Sequence, residues 1–191
     1  MRVIAFNGSA RRDGNTALLI KQVLRALENA GIDTELIQLA GTRIQGCSAC
    51  SECFETLDKR CVLTNDPIND YIAKMLNAEG VILGSPTYFA DLTPELKALI
   101  DRAGMVARAN GDMFQRKVGA AVVVMRRAGA IHAFDSINHF FFIGQMIVPG
   151  SNYWNIGIGR AVGEVQNDVE GLETMTTLGK NMAWLLKKLH A

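Results

Sequence analysis

The stretch from Val3 to Thr16, VIAFNGSARRDGNT, constrains this chain more than any other. It opens as a short apolar run closed by Asn7-Gly8, which reads as a strand buried on both faces. From Thr16 onward the residues ALLIKQVLRAL have helical spacing and strong helix formers. Between the two lies a loop of small and hydroxyl residues with Arg11 and Arg12. A loop in that position presents unpaired backbone N–H groups and the positive end of the helix dipole, which favours capture of a phosphate dianion. Ser9 and Thr16 add hydroxyls, Asn15 an amide, and Gly14 either a close backbone approach or a positive φ. Two familiar phosphate loops do not fit. Gly14-Asn15-Thr16 lacks the lysine of a P-loop, and the second strand, ending Gln38-Leu39-Ala40, lacks the acid of a dinucleotide fingerprint. A mononucleotide phosphate is the expected ligand; an ordinary strand-to-helix turn capped by Asp13 or Asn15 is the alternative.

The rest of the chain reads as strands alternating with helices. Arg2–Asn7 is a strand and Thr16–Ala30 a helix, stopped by Gly31. Thr34–Leu39 is the second strand. The segment 41–64 has no clean periodicity. Asp66 caps the next helix, with Pro67 at its first position. Gly80–Ser85 is the third strand, Pro86–Asp91 a loop, and Thr93-Pro94 caps a helix that runs to about Arg102 or a little beyond. Val118–Met125 is the fourth strand, Arg126–Gly129 a loop, Ile131–Ile143 a helix and Met146–Val148 a short fifth strand. Gly150–Gly163 reads as irregular, and Val169–Leu189 as a final helix broken or bent near Gly179. This alternation implies a parallel sheet with helices on both faces, an α/β three-layer sandwich. Five such units suggest the flavodoxin-like strand order 2-1-3-4-5, in one domain spanning residues 1–191 with an insertion at about 41–64. Ligands in that architecture bind at the carboxyl ends of the strands, where the Ser9, Pro86–Asp91 and Arg126–Gly129 loops would meet.

A chain of 191 residues can bury a sizeable core, and its 49% hydrophobic and 20% charged content is that of a globular protein. A net charge of +1 gives no reason to expect nucleic acid or an anionic membrane as a partner. The opening apolar run is too short for a signal-peptide core and no stretch approaches a membrane span, so the expected compartment is the cytoplasm.

All four cysteines, Cys47, Cys50, Cys53 and Cys61, fall inside the aperiodic segment. Clustering of this kind points to metal or redox use rather than a disulfide framework. Three thiols spaced by two residues can converge on one side of a tight loop, as at the start of a bacterial ferredoxin [4Fe–4S] motif. The separated Cys-x-x-Cys pairs usual for structural zinc are missing. A cluster, zinc and metal-free redox thiols all remain open on spacing alone.

Gly8-Ser9-Ala10-Arg11 with Gly14-Asn15-Thr16, followed by Gly84-Ser85-Pro86-Thr87-Tyr88-Phe89, resembles the NADPH-dependent FMN reductase family, and within it the cysteine-bearing iron–sulfur flavoprotein branch. The resemblance covers about residues 1–150. It implies that Ser9, Arg11, Gly14, Asn15 and Thr16 hold the FMN phosphate, and that Pro86, Thr87, Tyr88 and Phe89 pack against the isoalloxazine ring. The third loop, including Arg126 and Gly129, would meet the ring's edge from the other side, although its sequence departs from the glycine-rich form of the family. The branch also implies Cys47, Cys50, Cys53 and Cys61 as ligands of a [4Fe–4S] cluster. The expected function is an FMN-dependent oxidoreductase that passes electrons from NAD(P)H or a reduced carrier, through FMN and the cluster, to a small molecule or a ferredoxin-like partner. A non-catalytic FMN electron carrier or redox sensor is one alternative, and a zinc-stabilised binding module without flavin is another. No residue is assigned acid–base work. Phe140-Phe141-Phe142 cannot share one helix face, which with Phe134 and Tyr153-Trp154 suggests a homodimer or homotetramer, as the family resemblance also implies. His132 and His139 share a helix face and read as surface residues.

Overall fold

The computed structural model describes residues 1–190. Its five strands are β1 (Arg2–Asn7), β2 (Asp33–Gln38), β3 (Gly80–Pro86), β4 (Val118–Met125) and β5 (Ile156–Ile158). They form one parallel sheet in the order β2-β1-β3-β4-β5. The helices are α1 (Asn15–Asn29), α2 (Glu52–Thr56), α3 (Ile68–Leu76), α4 (Pro94–Ala109), α5 (Ala130–Ile143) and α6 (Val169–Leu189). This is the flavodoxin-like arrangement, with strand order reversing beside β1.

The pleat divides the core. Val3, Ala5, Ile82, Ala120 and Val122 face a layer made by α1 and α6. Ile4, Phe6, Val81, Leu83, Ala121 and Val123 face α3, α4 and α5. Burial on both faces is why these strands are continuous apolar runs rather than alternating ones. Among the described residues, no helix is long and apolar enough to cross a membrane.

Four expectations about elements need correction. The fifth strand is Ile156–Ile158, inside the segment expected to be irregular; of Met146–Val148, only Ile147 forms a bridge, to Val118. The apolar run at 146–148 resembles a strand in composition, but the hydrogen-bonded edge of β4 is taken by Ile156–Ile158. The final helix is continuous through Gly179. A Cβ there would stand 2.6 Å from the Ala26 side chain and 2.6 Å from the Val23 carbonyl oxygen, so glycine lets α6 lie close on α1. Helix α3 begins at Ile68, with Pro67 just outside it. Helix α4 continues past Arg102 to Ala109. The phenylalanine run is also resolved: Phe140 and Phe141 are buried, Phe140 edge-on to Phe114, while Phe142 is exposed.

Candidate flavin cleft and cysteine pocket

Because the sheet is parallel, the loops after β1, β3 and β4 emerge at one edge. With the segment after β5 they enclose a cleft of about 290 Å³ lined by Ser9, Arg11, Asn15 and Thr16, by Pro86, Thr87 and Tyr88, by Val124–Arg126, and by Gly159 and Arg160. Three guanidinium groups and no carboxylate stand among these residues, a charge balance suited to an anion.

The first loop is fixed from below. The Gly8 N–H donates to the Gly84 carbonyl at 2.8 Å, and the Thr93 hydroxyl donates to the Gly8 carbonyl at 2.8 Å. Asn7 Oδ1 accepts from the Ser9 N–H at 3.1 Å, and Asn7 Nδ2 donates to Gln38 Oε1 at 2.6 Å. Gln38 Nε2 returns a bond to the Ser9 carbonyl at 2.6 Å. Thr93 was expected to cap α4; its hydroxyl instead serves this loop, and α4 has no side-chain cap bond. The buried Ser85 hydroxyl completes the brace, accepting from the Thr93 N–H and donating to the Pro86 carbonyl.

Gly14 flanks the start of α1 with φ −80°, so no positive φ is used; a Cβ there would lie 2.9 Å from Arg11 Cβ. No side chain caps α1, and its first turn holds no acidic residue. Its leading N–H groups have no helical carbonyl to pair with, which leaves a dipole end suited to an anion. Ser9 Oγ accepts from the Arg11 N–H at 3.1 Å, and Thr16 is buried beside it. Asn15 has a different task. Its Nδ2 donates to the Ala161 carbonyl at 2.8 Å, and its Oδ1 accepts from the N–H groups of Gly163 at 2.9 Å and Val165 at 3.4 Å. The side chain therefore ties α1 to the segment after β5, which brings Gly159 and Arg160 to the cleft.

In the second loop the Thr87 N–H donates to the Val124 carbonyl at 2.8 Å. Tyr88 and Asp91 exchange both backbone bonds, making a tight turn with Phe89 and Ala90 at φ 48° and 65°. Left-handed backbone at a bulky residue is strained, and here it holds the Phe89 ring fully in solvent at the turn's tip. Phe89 does not line the cleft, while Tyr88 does and is half exposed. Gly129, at φ +87°, packs its backbone against Ala90 and Thr87, so the second and third loops touch. Arg126 reaches the cleft; Gly129 supports it from behind. His132 Nε2 stands 3.5 Å from Asp91 Oδ2, an exposed pair, and Asp101 pairs with Lys97.

The cysteines lie elsewhere, on the α4 side. All four line one narrow pocket with Val62, Arg102, Met105 and Val106. Four non-glycine residues of this segment, Ala49, Ser51, Leu57 and Lys59, have positive φ, so the chain is bent tightly around the thiols. The Ala49 N–H donates to Cys47 Sγ at 3.4 Å. Burial pushes the Cys53 thiol up, and the neighbouring Cys61, Cys47 and Cys50 add to it. Among the described residues, no three His, Cys, Asp or Glu side chains close into a site for a metal ion.

What holds this segment was not visible as a motif. Arg102, 1% exposed, donates from Nε to Cys61 Sγ at 3.3 Å, from one terminal nitrogen to the Gln45 carbonyl at 3.2 Å and to Asp66, and from the other to the Leu63 carbonyl at 2.7 Å. Asp66, read from sequence as a helix cap, accepts from the Ile68 N–H with one oxygen and from the Gln45 N–H and Arg102 with the other. Burial raises its carboxyl, but the bonds from Gln45 and Arg102 outweigh that and hold it below the ordinary aspartate value. Asn69 brackets Cys61, accepting from its N–H at 2.7 Å and donating to its carbonyl at 2.8 Å.

The model for the NADPH-dependent FMN reductase family matches residues 1–161. The chain belongs to that family. An iron–sulfur flavoprotein of Methanocaldococcus jannaschii is 39% identical, the match covering 98% of each chain. One of Methanosarcina thermophila is 28% identical, covering 100% of this chain and 97% of its own. Among solved structures, a flavodoxin WrbA-like protein of Agrobacterium tumefaciens superposes with a TM-score of 0.68 at 15% identity, covering 98% of this chain and 97% of that one. RosB, solved with a bound riboflavin-5′-phosphate derivative, superposes with a TM-score of 0.77 at 18% identity, covering 100% of this chain and 80% of that one. Family membership and these relatives support an oxidoreductase with flavin-dependent redox activity and FMN as its cofactor.

Proposed function

We propose that the chain passes electrons from NAD(P)H or a reduced carrier through FMN, and through a [4Fe–4S] cluster on Cys47, Cys50, Cys53 and Cys61, to an acceptor. The observation that carries the flavin half is the single cleft shared by three loops, rich in guanidinium and free of carboxylate among its lining residues. Bound FMN can exchange two electrons with a nicotinamide or one at a time with a carrier, and a cluster takes them singly.

The residues divide the work. The hydroxyls of Ser9 and Thr16 and the leading amides of α1 hold the phosphate, and Arg11 and Arg160 offset its charge. Asn15 keeps Arg160 in reach through the tether at Ala161–Val165. Pro86, Thr87 and Tyr88 wall the ring, and Phe89 at the turn tip offers apolar surface to whatever approaches it. The amides of Thr87 and Tyr88 are already engaged, which leaves Arg126 on the opposite side of the cleft to offer a donor toward the ring's edge. No side chain is asked to move a proton; positioning and electrostatics suffice.

For the second half, the donor set is all sulfur, backed by Val62, Met105, Val106 and one buried cation. Soft thiolates select iron–sulfur clusters, zinc or cuprous ion. The compact run Cys47, Cys50 and Cys53 with Cys61 in the same pocket lacks the two separated Cys-x-x-Cys pairs usual for structural zinc, which supports the cluster. One helix joins the two halves: Thr93, just ahead of α4, braces the flavin loop, and Arg102 lies about 14 Å further along, nine residues at about 1.5 Å each. The exposed Phe142, Tyr153 and Trp154 support a homo-oligomer, which light scattering would test.

The test is anaerobic purification followed by an absorbance spectrum, iron and sulfide analysis, and steady-state oxidation of NADH and NADPH. Flavin bands with iron, sulfide and turnover are expected. Flavin without turnover would leave an electron carrier, and a colourless protein containing zinc would overturn the reading.

A further inference from the structure

We propose that Arg102 is a positioning residue that seats Cys61 and raises the reduction potential of the cluster. The inference rests on the [4Fe–4S] reading above. Arg102 bridges the entrance of the cysteine segment at Gln45 and its exit at Cys61 and Leu63, so one side chain closes the loop that carries all four thiols. Its orientation is what makes it more than a clamp. The Nε edge faces Cys61 Sγ at 3.3 Å, while the opposite edge faces Asp66. The ion pair is neutral as a whole, yet its positive end points at sulfur.

Both side chains are out of water, Arg102 at 0% and Asp66 at 2% exposure, so solvent does little to screen that polarity. Sulfur carries more negative charge when the cluster is reduced. An N–H donor and a fixed cation beside it therefore stabilise the reduced state more than the oxidised one, and the potential rises. Asp66 opposes this from the far side. Removing either member of the pair should then move the potential in opposite directions.

That opposition separates tuning from scaffolding. Arg102→Lys keeps a charge but cannot donate to Cys61, Gln45, Leu63 and Asp66 at once. Asp66→Asn keeps an acceptor for Gln45 and leaves the guanidinium uncompensated. The experiment is an EPR-monitored redox titration of the anaerobically purified full chain, with iron and sulfide counted per chain. The expected result is a lower midpoint for Arg102→Lys and a higher one for Asp66→Asn. Each should change the reduced-to-oxidised ratio at a fixed ambient potential about tenfold, about 59 mV for one electron. Should Arg102→Lys fail to fold, the upward shift in Asp66→Asn still carries the test. Wild-type midpoints in variants that keep their iron would overturn the proposal. Loss of iron from both variants would overturn it too, leaving Arg102 as scaffold only. Wild-type protein without iron or sulfide would instead sink the cluster reading, and the proposal with it.

Discussion

The flavin cleft and the cysteine pocket are built by opposite means. The cleft is made where the sheet puts it: three loops leave adjacent parallel strands, short-range bonds such as Ser9 N–H to Asn7 and Arg11 N–H to Ser9 shape the first, and Gln38 and Thr93 brace it from neighbouring elements. The cysteine pocket has no strand behind it. Its chain is bent through left-handed residues and held by side chains of two helices, Arg102 on α4 and Asn69 on α3. Geometry in the first region follows from the fold; in the second it depends on two or three buried polar groups. The first should therefore tolerate loss of one group, whereas outright removal of the Arg102 guanidinium should unsettle the whole of the second.

The largest expected effect breaks that contrast directly. Arg102→Leu removes four bonds and strands the buried Asp66 charge, which should cost about 3–5 kcal/mol of stability. Denaturant unfolding of the purified variant measures it, and a loss under about 1 kcal/mol would show that the clamp is not structural. Next, Ser9→Ala with Thr16→Ala should weaken FMN binding about 10- to 100-fold, the loss of one or two bonds to a charged group, while iron per chain stays at the wild-type value. Fluorescence titration with FMN reads the first quantity. A change in iron would mean that the two regions are coupled. Asn15→Ala leaves the Ala161 carbonyl and the Gly163 and Val165 N–H groups without their partner, at about 1–3 kcal/mol. Its effect on FMN should be smaller than that of the double variant and should come from disorder of the Arg160 segment. Equal or larger loss of affinity would place Asn15 itself on the phosphate.

The smallest effect lies outside both regions and serves as the control. Glu35 on β2 bonds to Lys74 and Arg2, and the Lys74 bond, with the charges of Lys74 and Arg2, holds its carboxyl below the ordinary value against the opposing effect of burial. A depressed carboxyl stabilises the fold above its unfolded value, about 4.3, and the contribution is lost as pH falls through the folded value. Glu35→Gln should cost less than about 1 kcal/mol at neutral pH, and the difference from wild type should vanish in acid. A difference that grew on acidification would reverse the sign argued here.

How far each region was legible in the sequence follows the same division. The strand order and the three cleft loops could be read because each rests on local pattern: an apolar run, a turn, a helix start. Asn15 reads from its neighbours as a phosphate contact or a helix cap, because its partners lie at Ala161–Val165, far along the chain. The place of Arg160 at the cleft and the bond from Thr93 to Gly8 are hidden for the same reason. Arg102 sits on an amphipathic helix, where an arginine usually faces water, and its burial depends on Gln45 and Asp66, 57 and 36 positions away. The fifth strand was misplaced because the three residues at 146–148 are more apolar than Ile156-Gly157-Ile158, yet Ile147 makes a single bridge to Val118 while Ile156–Ile158 form the ladder with Val123–Met125.

The account's central claim is that the loop between β1 and α1 grips the phosphate of FMN. Titration of flavin-free protein with FMN and with riboflavin, side by side, tests it most directly. FMN should bind at least about 100-fold more tightly, as expected for a dianion held by charge-assisted bonds, and Ser9→Ala with Thr16→Ala should erase most of that gap. Equal affinity for the two flavins in the wild-type chain would contradict it.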